Sequence, residues 1–272
     1  MNAATLARYE YKYVMSSETM DRFQAAIRPY CTMDEYGARS ATGFYTINSL
    51  YFDDDRYRLY WDTENNVSVR AKLRVRSYGQ TEGGIVKFEV KRRINDLVLK
   101  TTACLPLQNW ERWLSPAAGI GRAAFTPAST EALDQFLVMA RAMGARAKML
   151  VRYQRLAFRS TIDNYVRITF DRHMVHQPMA KNELSGYSER WKAMDDPGSL
   201  GCSRSNVLLE LKFVKSAPVW LVDTVRRFGL VRQGYSKYAC AVRRSVFERD
   251  AGRDLAPAFT HGRLRSGAAW TF

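Results

Sequence analysis

Apolar and charged side chains alternate along several stretches of this chain. Val69, Ala71, Leu73 and Val75 alternate with Arg70, Lys72, Arg74 and Arg76. A period of two puts the four cations on one face of a β-strand and the apolar residues on the other. Residues 84–93 do the same, with Val86, Phe88 and Val90 set against Lys87, Glu89, Lys91 and Arg93. The GQTEGG run at 79–84 reads as the hairpin loop between the two. Over 8–14, Arg8, Glu10 and Lys12 alternate with Tyr9, Tyr11 and Tyr13. β-prone runs predict further strands over 44–53, 97–104, 149–159, 165–172, 206–215 and 235–243.

Helical spacing interrupts this pattern in a few places. Ser16, Ser17 and Glu18 open a helix whose core side is Met20, Phe23, Ile27 and Tyr30, ending near Pro29. Asp53-Asp54-Asp55 reads as a turn or helix cap before a short helical turn from Tyr57 to Trp61. A short helix runs through Trp110 and Trp113, followed by a loop from 115. Ser129 or Thr130 caps a helix over 131–143 that Gly144 ends. Ser216 caps another with Pro218 in its first turn, Leu221, Val225 and Phe228 inward, and Gly229 at its stop. Residues 176–205 read as a long irregular insert and 249–272 as a basic, fraying tail.

Eight or more strands with three or four helices make an α+β pattern. The charged faces need company and the apolar faces need cover. A closed antiparallel β-barrel, polar and basic inside with helices packed outside, meets both demands and forms a tunnel. The expectation is one such domain over 1–248.

Composition sharpens the choice of partner. The chain has 272 residues and a formal net charge of +15. That balance points to nucleic acid, an anionic membrane surface or a phosphate-rich small molecule. Cys31, Cys104, Cys202 and Cys240 form no CxxC pair, and only three histidines are present, which disfavours a structural zinc site. There is no apolar leader and no run of 18 apolar residues. The expected location is the cytoplasm, with no transmembrane segment in this chain and room for a separate membrane-protein partner.

Cations greatly outnumber acids on the alternating faces. A basic strand alone is ordinarily a solvent face, and a Glu–Lys pair two residues apart is ordinarily a weak surface ion pair. Here that explanation has to be invoked strand after strand. Aligned basic strands repel unless a polyanion lies between them. Acids among phosphate-binding cations are candidate ligands for a divalent metal. Glu210 leads, on a strand where Leu209, Leu211 and Phe213 face the other way, with Glu10 and Glu89 next. GxxxxGK[ST], GxSxG and HExxH motifs are absent from the sequence. Aromatics do not interleave with the cations at 70–76, as a base-stacking surface would need, so nucleic acid is not the expected partner. A polyanion-binding module without turnover stays open at this level.

RYEYKYV (8–14), SLYFDD (49–54), KLRVRSYG (72–79), FEVKRR (88–93), RYQRLAF (152–158), VRITFD (166–171), LLELKF (208–213) and YSKY (235–238) occur in this order. Together they resemble the catalytic domain of the vacuolar transporter chaperone (VTC) complex and its bacterial VTC-domain relatives, polyphosphate polymerases among the triphosphate tunnel metalloenzymes. The resemblance implies transfer of the γ-phosphate of a nucleoside triphosphate such as ATP to a growing polyphosphate chain, with Mn²⁺ or Mg²⁺. It implies phosphate contacts by Lys12, Arg74, Arg76, Lys91, Lys100, Arg155, Arg167, Lys212, Ser236 and Lys237. Lys12, Arg74, Arg76, Lys91 and Glu210 would stand at the reaction, with metal ligation by Glu210. Arg8 takes the place of the first acid in the superfamily's ExExK opening, which favours a polymerase over a tripolyphosphate or nucleoside triphosphate hydrolase of the same fold. Gly234 stands where the eukaryotic enzyme has a lysine, so one phosphate contact is missing. The expectation is a chain with no fused phosphate-sensing SPX domain or membrane anchor.

Overall fold

A computed structural model describes residues 8–79, 84–95, 97–115, 126–162, 165–201 and 205–248. The centre of the GQTEGG loop, most of the loop after 115, the Asp163-Asn164 turn, Cys202 and the expected basic tail lie outside them. The first half comprises β1 (Arg8–Met15), α1 (Ser17–Ile27), β2 (Cys31–Met33), α2 (Glu35–Ala38), β3 (Tyr45–Asp53), α3 (Arg58–Glu64), β4 (Val69–Tyr78), β5 (Ile85–Ile94) and β6 (Leu97–Pro106). The second comprises α4 (Pro127–Met143), β7 (Arg146–Ser160), β8 (Arg167–Pro178), β9 (Lys192–Ala193), α5 (Pro197–Leu200), β10 (Val207–Val214), α6 (Val219–Arg227) and α7 (Lys237–Val242).

The strands pair antiparallel in the order β1-β10-β8-β7-β3-β4-β5-β6, with β2 on β7 and β9 on β8. The sheet curls into a half-barrel. Among the described residues no backbone pairing joins β6 to β1, so the expected closed barrel is corrected to an open, curled sheet. Its walls meet through side chains instead: Lys91 Nζ on β5 donates to Glu10 Oε2 on β1 at 2.8 Å. A bridge of two extended side chains spans more than the ~4.8 Å between hydrogen-bonded strands, so the backbones stay apart.

The alternation sorts side chains as anticipated. On the convex side, α4 sets Leu133, Phe136 and Leu137 against Leu73, Val75, Phe88 and Val90, the apolar partners of the basic positions. Phe136 meets Phe88 edge-on at 5.2 Å. Helices α1 and α6 cover the other half, where Phe23, Ile27 and Leu221 pack on Tyr13, Ile168, Phe170, Leu209 and Leu211. Ser16 caps α1 by accepting from Thr19 N at 3.1 Å. Helix α4 starts earlier than predicted, because Thr126 caps it and Pro127 supplies a pre-set φ. Pro218, not Ser216, occupies the cap position of α6 and makes no side-chain cap bond. β8 runs on into the expected irregular insert, through a register shift opposite Arg152/Gln154 and a left-handed His173 (φ 49°).

The strand predicted at 235–243 is instead helix α7. Ser236 caps it, and Tyr238 to Val242 are all buried. Burial without alternation is the signature that YSKYACAVR hides, since Ala, Cys and Val read as strand or helix equally well. Helix α7 sits in the concavity, packed with Tyr51, Met149, Val151, Tyr153 and Leu208. It fills one end of the curled sheet with apolar side chains and leaves the basic end polar. Asp53 ties it in: this carboxylate accepts from Tyr238 Oη at 2.6 Å and from the backbone N–H of Leu59 and Tyr60, so the cap reading of that run holds. No helix of the described residues is long and apolar enough to cross a membrane.

Behind α7, His176 is fully buried and its Nδ1 lies 3.1 Å from Ser245 Oγ. Burial, then Arg244 and Lys192, push its pKa down to about 4 from 6.5. The folded value lies below the unfolded one, so the unfolded chain takes the proton first. Stability therefore falls as pH drops from 6.5 towards 4, by up to about 3 kcal/mol from this group. Urea denaturation across that range should show the gap between wild type and His176→Gln closing as pH falls; a constant gap would contradict the assignment.

Candidate functional site

Two strand groups face each other across the polar end of the concavity. One wall is β3 to β6. Cross-strand register there aligns Ser49 with Arg76 and Lys87, Tyr51 with Arg74 and Glu89, and Lys72 with Lys91 and Lys100. The other wall is β1, β10, β8 and β7. It sets Lys12 opposite Glu210, Glu10 opposite Lys212, and Asp171 opposite Arg155. Helix α7 delivers Ser236 and Lys237 at its mouth. The period-two pattern is what collects the charges of the two walls, since each of those occupies an alternate position on its strand.

Four carboxylates brace the cations. Glu89, 1% exposed, is the hub of the first wall. Its Oε2 accepts from Arg74 Nε at 2.6 Å and lies 3.9 Å from Arg76 Nη1, while Oε1 meets Lys100 Nζ. Burial raises its pKa, but Arg74, Arg76 and Lys100 outweigh that and hold it well below the carboxylate range. Asp171, fully buried, takes Arg155 in a two-pronged bond at 2.7 and 2.8 Å and Lys237 Nζ at 2.6 Å. Glu10 holds Lys91 at 2.8 Å and Lys12 at 3.2 Å. Glu210 lies 3.3 Å from Lys212 and 3.6 Å from Arg155. Burial works against the charge of Glu210, yet Lys212, Lys12 and Arg155 keep its pKa well below the ordinary value.

The predicted site residues divide by this geometry. Lys12, Arg74, Arg76, Lys91, Lys100, Arg155, Lys237 and Glu210 come together. Lys12 also donates to the Tyr235 carbonyl at 2.7 Å, and Arg76 Nε to Ser49 Oγ at 3.1 Å. Lys212, 41% exposed, lies at the rim. Arg167 also lies at the rim and pairs with Asp34 Oδ2 at 3.2 Å instead of a site carboxylate. Three participants were not among the predicted site residues. Asp171 orients Arg155 and Lys237; its alternate position beside Arg167 was the visible signal. Tyr51 stacks on Tyr238 at 5.0 Å and faces Arg74 Nη1 across 3.3 Å. Lys72 donates to Ser236 Oγ at 2.9 Å.

The donor set bears on the metal. Glu10 and Glu210 stand close enough to interact with each other directly. Paired carboxylate oxygens suit a hard divalent ion that completes its shell with phosphate oxygens and water. Among the described residues no group of three or more His, Cys, Asp or Glu is placed to hold a metal alone. Glu89, ringed by three cations, offers no comparable pair.

Removing a brace strands buried cations. Glu89→Gln should cost about 3–5 kcal/mol in chemical denaturation at neutral pH. The folded pKa is depressed, so Glu89 stabilises the fold above the unfolded carboxylate value and this is lost as pH falls through the folded value. The wild-type advantage should shrink only below about pH 4. An equal advantage at all pH values would contradict the pairing.

A model of the VTC domain matches residues 7–246. No curated protein matches the chain. Among solved structures, the PH1819 protein from Pyrococcus horikoshii OT3 is similar at 11% identity and a TM-score of 0.44, over 87% of this chain and 99% of that one. The conserved hypothetical protein Pfu-838710-001 from Pyrococcus furiosus is similar at 9% identity and a TM-score of 0.41, over 85% and 99%. A family model that spans the chain from the first strand through α7, on a curled antiparallel sheet with a basic concave face, makes this protein a member of the VTC-domain family.

Proposed function

We propose that the protein is a polyphosphate polymerase, transferring the γ-phosphate of ATP to the end of a growing polyphosphate chain. VTC-domain membership ties the chain to polyphosphate-related function. The observation that carries the finer reading is the imbalance of the concave face. Among the described residues, Lys12, Arg74, Arg76, Lys91, Lys100, Arg155, Lys212 and Lys237 lie against four carboxylates, Glu10, Glu89, Asp171 and Glu210, while Lys72 bonds the Ser236 hydroxyl. A bound triphosphate supplies the missing negative charge through charge-assisted hydrogen bonds.

Phosphoryl transfer asks for positioning and charge rather than a protein nucleophile. A terminal oxygen of the chain attacks the γ-phosphorus, the bond to the β-bridging oxygen breaks, and ADP departs. Arg74 and Arg76, held by Glu89, are fixed in orientation before substrate arrives, so they spread charge off the transferring group without reorganising. Lys12, Lys91 and Lys100 draw the flanking phosphates between the walls. Asp171 keeps Arg155 and Lys237 aimed into the same space. Glu10 and Glu210 would hold Mn²⁺ or Mg²⁺, which supplies neutralisation of charge on the phosphate oxygens. The carboxylates near the metal position are few and braced by lysines, which disfavours activating a water.

Incubation with ATP and Mn²⁺ followed by gel electrophoresis should show a ladder of lengthening chains. Glu210→Gln and Arg76→Ala should each lower synthesis by about a hundredfold or more while retaining a cooperative melting transition. Release of free phosphate without chain growth, or a well-folded and fully active Arg76→Ala, would refute the proposal.

A further inference from the structure

The cations of the concave face differ in what neutralises them. Arg74, Arg76 and Lys100 touch Glu89, Lys12 and Lys91 touch Glu10, Arg155 and Lys237 touch Asp171, and Lys212 touches Glu210. Lys72 touches none of these. Its Nζ donates to Ser236 Oγ, an uncharged hydroxyl that also accepts from Ala239 N at 3.3 Å as the cap of α7. Among the described residues no carboxylate lies within ion-pair reach of Lys72.

Its neighbours make the position worse for a charge. Lys91 is its direct cross-strand partner on β5, and Lys100 on β6 extends the same row. Arg74 follows on its own strand, and Lys12 reaches across from β1, where the field of Glu10 works the other way. A row of three lysines side by side is unfavourable on any sheet.

We propose that Lys72 is a further phosphate-binding residue, and that arrival of the phosphate chain favours protonation of its amine. The inference rests on the reading of this face as a triphosphate site and adds a coupling to it. Burial, then Lys12, Lys91 and Arg74, hold the Lys72 ammonium well below the ordinary lysine range. A triphosphate brings several negative oxygens to the same spot and reverses that field. The bound value then rises above the empty one. At any pH between the two, binding draws up to one proton from solvent onto Nζ. The neutral amine still has N–H bonds to offer Ser236; the ammonium has three for phosphate oxygens.

Calorimetric titration of the full chain with tripolyphosphate, free of divalent ions and in buffers of different ionisation enthalpy near pH ~8, measures protons exchanged on binding. The ligand's own protonation is common to every variant and cancels in the comparison. Lys72→Arg is charged throughout. Wild type should take up more protons per bound tripolyphosphate than Lys72→Arg, by at most the single proton of Nζ. Lys72→Met should lose the same proton and bind about tenfold to a hundredfold more weakly. Equal uptake by wild type and either variant overturns the role of Lys72 and leaves the site standing. Absence of tripolyphosphate binding by wild type overturns both.

Discussion

Confinement of unequal charge on one face governs this molecule. Among the described residues, the basic side chains that line the concavity outnumber the carboxylates between them, so each acid is shared: Glu89 among Arg74, Arg76 and Lys100, Asp171 between Arg155 and Lys237, Glu10 between Lys12 and Lys91. Removing an acid leaves buried cations unpaired, which is far costlier than the pair itself is worth. The acids therefore act as braces that hold cations in fixed directions. Fixed cations are what phosphate recognition needs, because their orientation is settled before the ligand enters.

The rest of the fold follows from keeping that face away from the apolar one. Every basic strand has an apolar reverse side, and helices α1, α4 and α6 cover it in two separate clusters. The concavity is divided in turn. Helix α7 packs apolar residues into one end, and its cap and first residue, Ser236 and Lys237, belong to the polar end. Contacts run without interruption from the plug to the charges: Asp53 holds Tyr238, Tyr238 stacks on Tyr51, and Tyr51 meets Arg74. The position of α7 and the aim of Arg74 are thereby coupled.

Period-two alternation made the strands legible in the sequence, and with them nearly all of the site. Arg74, Arg76, Lys91 and Glu210 could be assigned to one side because a strand admits only two. What could not be read was how the sheet ends. Closure depends on whether β1 and β6 come within backbone reach, and the Lys91–Glu10 bridge that links β5 to β1 is a contact between residues 81 positions apart. Helix α7 was missed for a related reason: its burial on every side erases the period that would distinguish helix from strand. Lys72 was visible as part of a basic face, yet its isolation was not. That required knowing where Glu10, Glu89 and Ser236 stand in space.

The direct measurement of an under-neutralised phosphate face is thermal melting of the full chain with increasing tripolyphosphate, compared with sulfate at matched ionic strength. A ligand that binds only the folded state raises the melting temperature with concentration. The charge imbalance predicts a rise with tripolyphosphate well beyond that with sulfate, reduced when Arg74 or Lys91 is replaced by alanine. Identical shifts with the two anions, or no shift with either, would contradict it.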